Sequence, residues 1–175
     1  SQGIEYALVE HWRQSGMLEE TGLPSGIGRS KGMITVSGSV SPTTARQIGW
    51  AKDNGFASIE FDATQVCGGE AEIHAEINRT TTRALAALSK GLDPLIHTAE
   101  GPDDPAVARL LQAISTAGID SAQANRRIGE ALGRVLRSVL EQTDVRRAVV
   151  SGGDTSGYAT QQLGIFALSA LAPTI

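Results

Sequence analysis

The chain has 175 residues, 41% of them hydrophobic but only 4% aromatic, and its charged side chains leave a net −4. That length suits one well-packed domain with a core of Leu, Ile, Val and Ala. An acidic balance with no basic block argues against nucleic acid and anionic membrane as partners, and no apolar run reaches the length of a membrane span. The single cysteine, Cys67, excludes a disulfide framework within the chain and favours a cytoplasmic setting. The N-terminus has no initiator Met and no charged region followed by an apolar one, so no signal peptide is expected. Both ends are expected to continue into a longer protein, because Ala172-Pro173-Thr174-Ile175 directly follows an apolar stretch.

In chain order, Ile4 to Gly16 reads as a short helix with Ile4, Leu8, His11 and Trp12 on one side. Leu18 to Lys31, with Gly22, Pro24, Gly26 and Gly28, reads as a linker holding a domain boundary. Regular alternation begins at Gly32. Met33 to Val36 is a strand, Pro42 to Asn54 a helix closed by Gly55, and Ala57 to Asp62 a second strand. Glu70 to Lys90 is a long helix stopped by Gly91, and Pro94 to Thr98 is the third strand. Pro105 to Ala117 is a helix with Val107, Leu110, Leu111 and Ile114 on one face. The next helix is capped by Ser121 and keeps Ile128, Leu132, Val135, Val139 and Leu140 together. Arg147 to Val150 is the fourth strand, and a last helix starts near Ser156. Strands alternating with helices predict an α/β fold: a mostly parallel sheet with crossover helices on both faces, a Rossmann-like three-layer architecture.

Two strand-to-helix loops carry the candidate chemistry. In the first, Val36 to Gln47, Ser41 is a natural helix N-cap and Pro42 occupies the first helical position. A helix start leaves backbone N–H groups unpaired at the positive end of its dipole, and Ser39, Ser41 and Thr44 add hydroxyls. That combination suits a phosphate, although a well-capped turn without a ligand has the same pattern. In the second loop, Gly152, Gly153 and Gly157 fall within six residues and let phosphates approach the backbone. Thr155 and Ser156 are expected to cap the helix and donate hydroxyls. Asp154 is the unusual member. A carboxylate beside phosphates repels them unless a cation intervenes, so it points to Mg²⁺, or to a hydrogen bond with a ribose or with backbone N–H groups. A tight turn with Asp154 as turn-former is the alternative. In parallel sheets ligands gather at the carboxyl ends of the strands, where both loops lie.

Other features are weaker. Gly26 to Gly32 has a glycine spacing one residue away from a dinucleotide fingerprint and precedes a strand, which disfavours a dehydrogenase. Glu70 and His74 lie one helical turn apart, more simply as a solvated face than a metal site. Cys67 reads as a small buried residue, and the acids of Glu100 to Pro105 as caps for the helix that follows.

Three segments together, Ser37 to Gln47, Gly101-Pro102-Asp103-Asp104 and Ser151 to Gly157, resemble the four-carbon acid sugar kinases, the 3-oxo-tetronate, threonate and erythronate kinases. The resemblance implies a two-domain enzyme whose N-terminal domain binds a sugar acid and whose C-terminal domain binds ATP. Residues 1–31 would then be the end of the first domain and a linker, and 32–175 most of the second, incomplete at its C-terminus. Ser39 and the run Gly152 to Thr155 would contact ATP, with Mg²⁺ bridging the phosphates. The partners implied are ATP and a small sugar acid, with a homodimer left open. The family's acidic substrate motif has no counterpart here, so this stretch alone is expected to be inactive and the catalytic base to lie elsewhere. Without the resemblance, the loops equally suit a non-catalytic nucleotide- or phosphometabolite-binding module.

Overall fold

The computed structural model describes residues 2–18 and 30–168. Residues 2–18, with 168, belong to one compact unit and residues 30–167 to another, and each stands by itself. In the first, helix α1 (Gln2–Gln14) carries exposed Ile4, Tyr6, Leu8 and Trp12. The expected linker lies mostly outside the described residues.

In the second unit, strand β1 (Ile34–Ser37) leads to α2 (Pro42–Asp53), β2 (Ala57–Glu60), α3 (Glu70–Ser89), β3 (Pro94–His97), α4 (Pro105–Ala117), α5 (Ser121–Gln142), β4 (Ala148–Ser151) and α6 (Gly153–Gln162). β2 and β3 are two residues and one residue shorter than expected, and β1 and β4 lie one residue further along the chain than expected. β2 stops at Glu60 because Asp62 caps a 3-10 turn, Ala63–Cys67, accepting from the Thr64 N–H at 3.1 Å. The four strands form one sheet, all parallel, in the order β2-β3-β1-β4. The chain runs from central β1 to the edge strand β2, returns to β3 beside β1, and crosses to β4 at the opposite edge. All four carboxyl ends emerge on one edge.

Alternation along the strands assigns the faces. Ile34 and Val36 of β1, Ile59 of β2 and Ile96 of β3 are buried against Ile73, Ile77, Leu132, Val135, Leu136 and Val139 of α3 and α5. The opposite face is thinner: Ile48 and Ala51 of α2 pack on Leu95 with Phe56 beside them. At roughly 25 cal/mol per Å² of apolar surface, the first face supplies most of the hydrophobic stabilisation. The second covers β3 and β1 but leaves Val149 of β4 exposed, and helices lie on both faces of the parallel sheet, as expected of a three-layer α/β fold.

Polar anchors fix the connections. The buried Glu76 carboxylate accepts from the Asp62 N–H at 2.6 Å and from Arg79 Nε at 2.6 Å, while Arg79 also reaches the Glu60 carbonyl. Glu70 and His74 both meet Arg134 of α5, at 3.6 Å and 2.7 Å, so this helix face bridges α3 to α5.

Candidate functional site

Both strand-to-helix loops lie at the carboxyl edge, on adjacent strands, with Ser37 paired to Ser151 in register. They touch. A Cβ on Gly38 would fall 2.2 Å from Thr155 Oγ1, and one on Gly152 would fall 3.5 Å from the Ser39 nitrogen. The absence of side chains at Gly38 and Gly152 is what lets the loops meet.

The first loop is largely satisfied from within. Ser41 is the N-cap of α2, and its Oγ accepts from the Thr44 N–H at 3.1 Å. Thr44 is buried, and its hydroxyl pairs with Ser39 Oγ at 2.8 Å and Ser41 Oγ at 3.0 Å. Thr44 thus holds the two serines in place and has little capacity left for a ligand, whereas Ser39 and Ser41 stand toward the surface. Arg46, one turn into α2, makes among the described residues only a 3.4 Å bond to Thr43 Oγ1 and is exposed, so it supplies a positive charge near this loop.

The second loop differs from expectation in its boundary. The helix begins at Gly153, not near Ser156, and the residue at the cap is Gly152, with φ 118° and no side-chain capping bond. Thr155 and Ser156 therefore sit inside the first turn, one buried and the other donating to the Gly153 carbonyl at 2.8 Å. The physical reason is that Gly152 alone adopts the left-handed φ needed to turn from β4 into the helix. The Ser156 N–H reaches the Gly152 carbonyl at 2.9 Å. The N–H groups of Gly153, Asp154 and Thr155 find no acceptor among the described residues, as for the first turn of a helix that lacks a side-chain cap. A Cβ added at Gly153 or Gly157 would meet nothing within 4 Å. One helical turn apart, these two leave a strip of open backbone beside the unpaired amides.

Asp154 is exposed and accepts no hydrogen bond from the described residues. It does not shape the loop by binding backbone N–H groups, and its carboxylate at the start of α6 complements the helix dipole. No cluster of three His, Cys, Asp or Glu that could hold a metal occurs among the described residues. An Mg²⁺ fits Asp154 only in the usual manner of that ion, through one carboxylate with water and phosphate oxygens completing the shell.

Two buried polar atoms missed by reading the sequence lie beneath the loops. Ser37 Oγ is buried, has no partner among the described residues, and borders a groove of about 520 Å³ between α2 and β4 that ends at Gly152. His97, paired with Ser37 in register, is buried; its Nε2 lies 2.8 Å from Ser58 Oγ and its Nδ1 has no partner among the described residues. Burial pushes the His97 pKa below the usual histidine value, against the pull of Glu100 and Glu60. An alternation count on β1 and β3 would have grouped Ser37 with His97 on the α2 face, but their orphaned atoms needed coordinates.

The third segment, Gly101 to Asp104, borders the same edge. Gly101 has φ 153°, and a Cβ there would fall 2.8 Å from Ala45 Cβ of α2. Asp104 caps α4, accepting from the Ala106 N–H at 2.8 Å and the Glu100 N–H at 2.7 Å, and these bonds hold its pKa below the carboxylate range.

Residues 34–175 match the family model described as the nucleotide-binding C-terminal domain. The chain belongs to that family. It is the C-terminal domain of the four-carbon acid sugar kinases, which the three loop segments resemble. Among curated proteins, the chain is 42% identical to a 3-oxo-isoapionate kinase of Paraburkholderia graminis over 98% of its own length and 36% of the relative's. It is 29% identical to a 3-oxo-tetronate kinase of Cupriavidus necator, covering 95% of this chain and 35% of that one. A D-threonate kinase of Salmonella typhimurium is 27% identical over 75% of this chain and 30% of its own. The chain thus spans about a third of the length of these relatives. A crystal structure from Salmonella typhimurium LT2, provisionally described as a tRNA synthase, superposes with a TM-score of 0.59 at 24% identity, covering 82% of this chain and 31% of that one, which speaks to the fold alone.

Proposed function

We propose that this nucleotide-binding domain holds ATP for a kinase that phosphorylates a hydroxyl of a four-carbon sugar acid. The observation that carries the reading is the open start of α6, where three amides without acceptors among the described residues lie beside the bare backbone of Gly153 and Gly157. The phosphates would rest there, with Ser39 and Ser41 donating from the adjoining loop. The chain has no lysine in either loop, so amide dipoles, the helix terminus and Arg46 would supply the positive field. Asp154 would hold Mg²⁺, whose charge would offset that of the phosphates while the terminal phosphoryl group passes from ADP to the sugar oxygen. The base that takes the hydroxyl proton and the groups that bind the sugar acid would belong to the part of the protein outside this chain, as the relatives' greater length allows. The names of those relatives support the substrate class, and the family model supports the nucleotide.

Calorimetry of the intact protein with ATP and Mg²⁺ tests the reading. Saturable binding is expected in the wild type and its loss in Gly153→Val, with the melting temperature unchanged because the new side chain meets open space. No ATP binding by the intact wild-type protein would overturn the proposal.

A further inference from the structure

Resting on the phosphate site proposed above, we propose that the base of the nucleotide is held in the cavity between α4 and α5. The cavity, of about 200 Å³, opens at the carboxyl edge of the sheet, and Gly38 and Val40 form its wall on the loop side. These two residues flank Ser39, and Gly38 touches Thr155 at the start of α6. A nucleotide with its phosphates on α6 and Ser39 has this cavity directly beside it. The volume is below the roughly 300–1,000 Å³ of pockets that enclose whole drug-sized ligands, and suits one planar ring system.

The helix that forms the far wall buries its apolar face only in part. α4 buries only Ala106 fully, and Val107, Leu110 and Ile114 stay partly exposed around the cavity while Leu111 is 59% exposed. The α4 side chains with Val40 and Ile128 give the cavity an apolar lining, which a base needs because its faces are apolar and its edge is polar. The polar edge has a match. Asn125 of α5 lines the cavity, and its amide forms no hydrogen bond with the described residues. An Asn amide presents a donor and an acceptor side by side, the pattern that pairs bidentately with an adenine edge. The groove on the α2 face also reaches Gly152, but it runs the length of the strands to Met33 and Phe56 and is flanked on one side by exposed Val149.

The test compares ATP with inorganic tripolyphosphate, which keeps the phosphates and lacks the base, by calorimetry on the intact protein with Mg²⁺. Wild type is expected to bind ATP more tightly than tripolyphosphate. Val107→Trp, which fills the cavity, and Asn125→Leu, which removes only the polar edge, are each expected to lower ATP affinity about ten- to a hundredfold, the worth of one lost base contact, and to leave tripolyphosphate affinity within about twofold. Val149→Trp, which fills the α2-face groove, is expected to change neither. If wild type binds neither ligand, the phosphate reading fails and this one with it. Should both ligands bind and Val107→Trp keep the preference for ATP, or Val149→Trp abolish it, the base is not between α4 and α5 and this inference alone is overturned.

Discussion

Gly152 holds φ at 118°, and a Cβ there would crowd Thr155 Oγ1 at 3.0 Å, whereas Gly153 has an ordinary backbone and open space around it. Adjacent glycines of one motif thus answer to different demands, the first to the turn and the second to whatever approaches the helix start. Gly152→Ala is expected to destabilise the domain by about 1–3 kcal/mol through backbone strain, seen as a lower denaturation midpoint. Gly153→Val should leave that midpoint in place and raise the Michaelis constant for ATP far more than that for the sugar acid; equal rises in both would remove the assignment. Asp154 separates in the same way. It takes no bond from the loop's amides, so Asp154→Asn should cost no more than the roughly 0.3–1 kcal/mol of its carboxylate at the helix N-terminus, and if the carboxylate holds Mg²⁺ the variant needs more Mg²⁺ for half-maximal rate. A Mg²⁺ titration that overlays the wild type would rule out the metal role. These residues were legible in the sequence because their types are unusual together. The division of labour between Gly152 and Gly153 was not, since it depends on a dihedral angle and on Thr155 folding back toward Gly38.

α6 is placed by its packing on α5, and two further glycines make that contact close. A Cβ on Gly133 would fall 2.7 Å from Ala159 Cα and 2.9 Å from its carbonyl oxygen, and one on Gly129 would fall 2.7 Å from Tyr158 Cβ. Backbone atoms cannot swing aside as a flexible side chain can, so Gly133→Ala would push α6 bodily away. The overpacking cost of about 1–3 kcal/mol exceeds the gain of up to about 1 kcal/mol from replacing a helical glycine by alanine. The variant is expected to be less stable and, because α6 carries the phosphate loop, to lose ATP affinity even at temperatures where it is fully folded. Unaltered ATP affinity in the folded variant would mean that α6 can shift without disturbing the site. In sequence, Gly129 and Gly133 are merely two glycines in a strongly amphipathic helix, and nothing there names their partner. Element ends show the same limit. Ser121 reads as the cap of α5, yet Asp120 takes that place by accepting from the Gln123 N–H at 2.6 Å. Either residue satisfies the local rule, and the path of the preceding turn decides.

At the scale of the molecule, the alternation of strands and helices made the parallel sheet legible, but not the order β2-β3-β1-β4, which places β3 in the interior and His97 at its end. That position has a consequence for acid stability. His97 is 3% exposed, and the charged groups around it are Glu100, Glu60, Lys52 and Asp104, with Glu100 Oε1 at 3.9 Å and shared with Lys52. Burial outweighs the two glutamates and lowers its pKa in the folded state below the value of about 6.5 that it takes in an unfolded chain. Above that value both states hold a neutral imidazole and His97 adds no pH dependence. As the pH falls below it, the unfolded chain binds a proton that the folded chain refuses, so stability drops until the folded pKa is reached. Asp62 and Asp104 act in another window. Burial raises the Asp62 pKa, but bonds from Thr64 and Gln65 and the charge of Arg109 lower it further, so that both folded carboxyls lie low and their contributions fade only below about pH 4. Thermal unfolding followed from pH 7.5 to 5.5 should therefore show a falling midpoint in the wild type and a shallower fall in His97→Gln, whatever the variant's absolute stability. Parallel profiles for the two proteins would show that His97 is not the group that senses the acid.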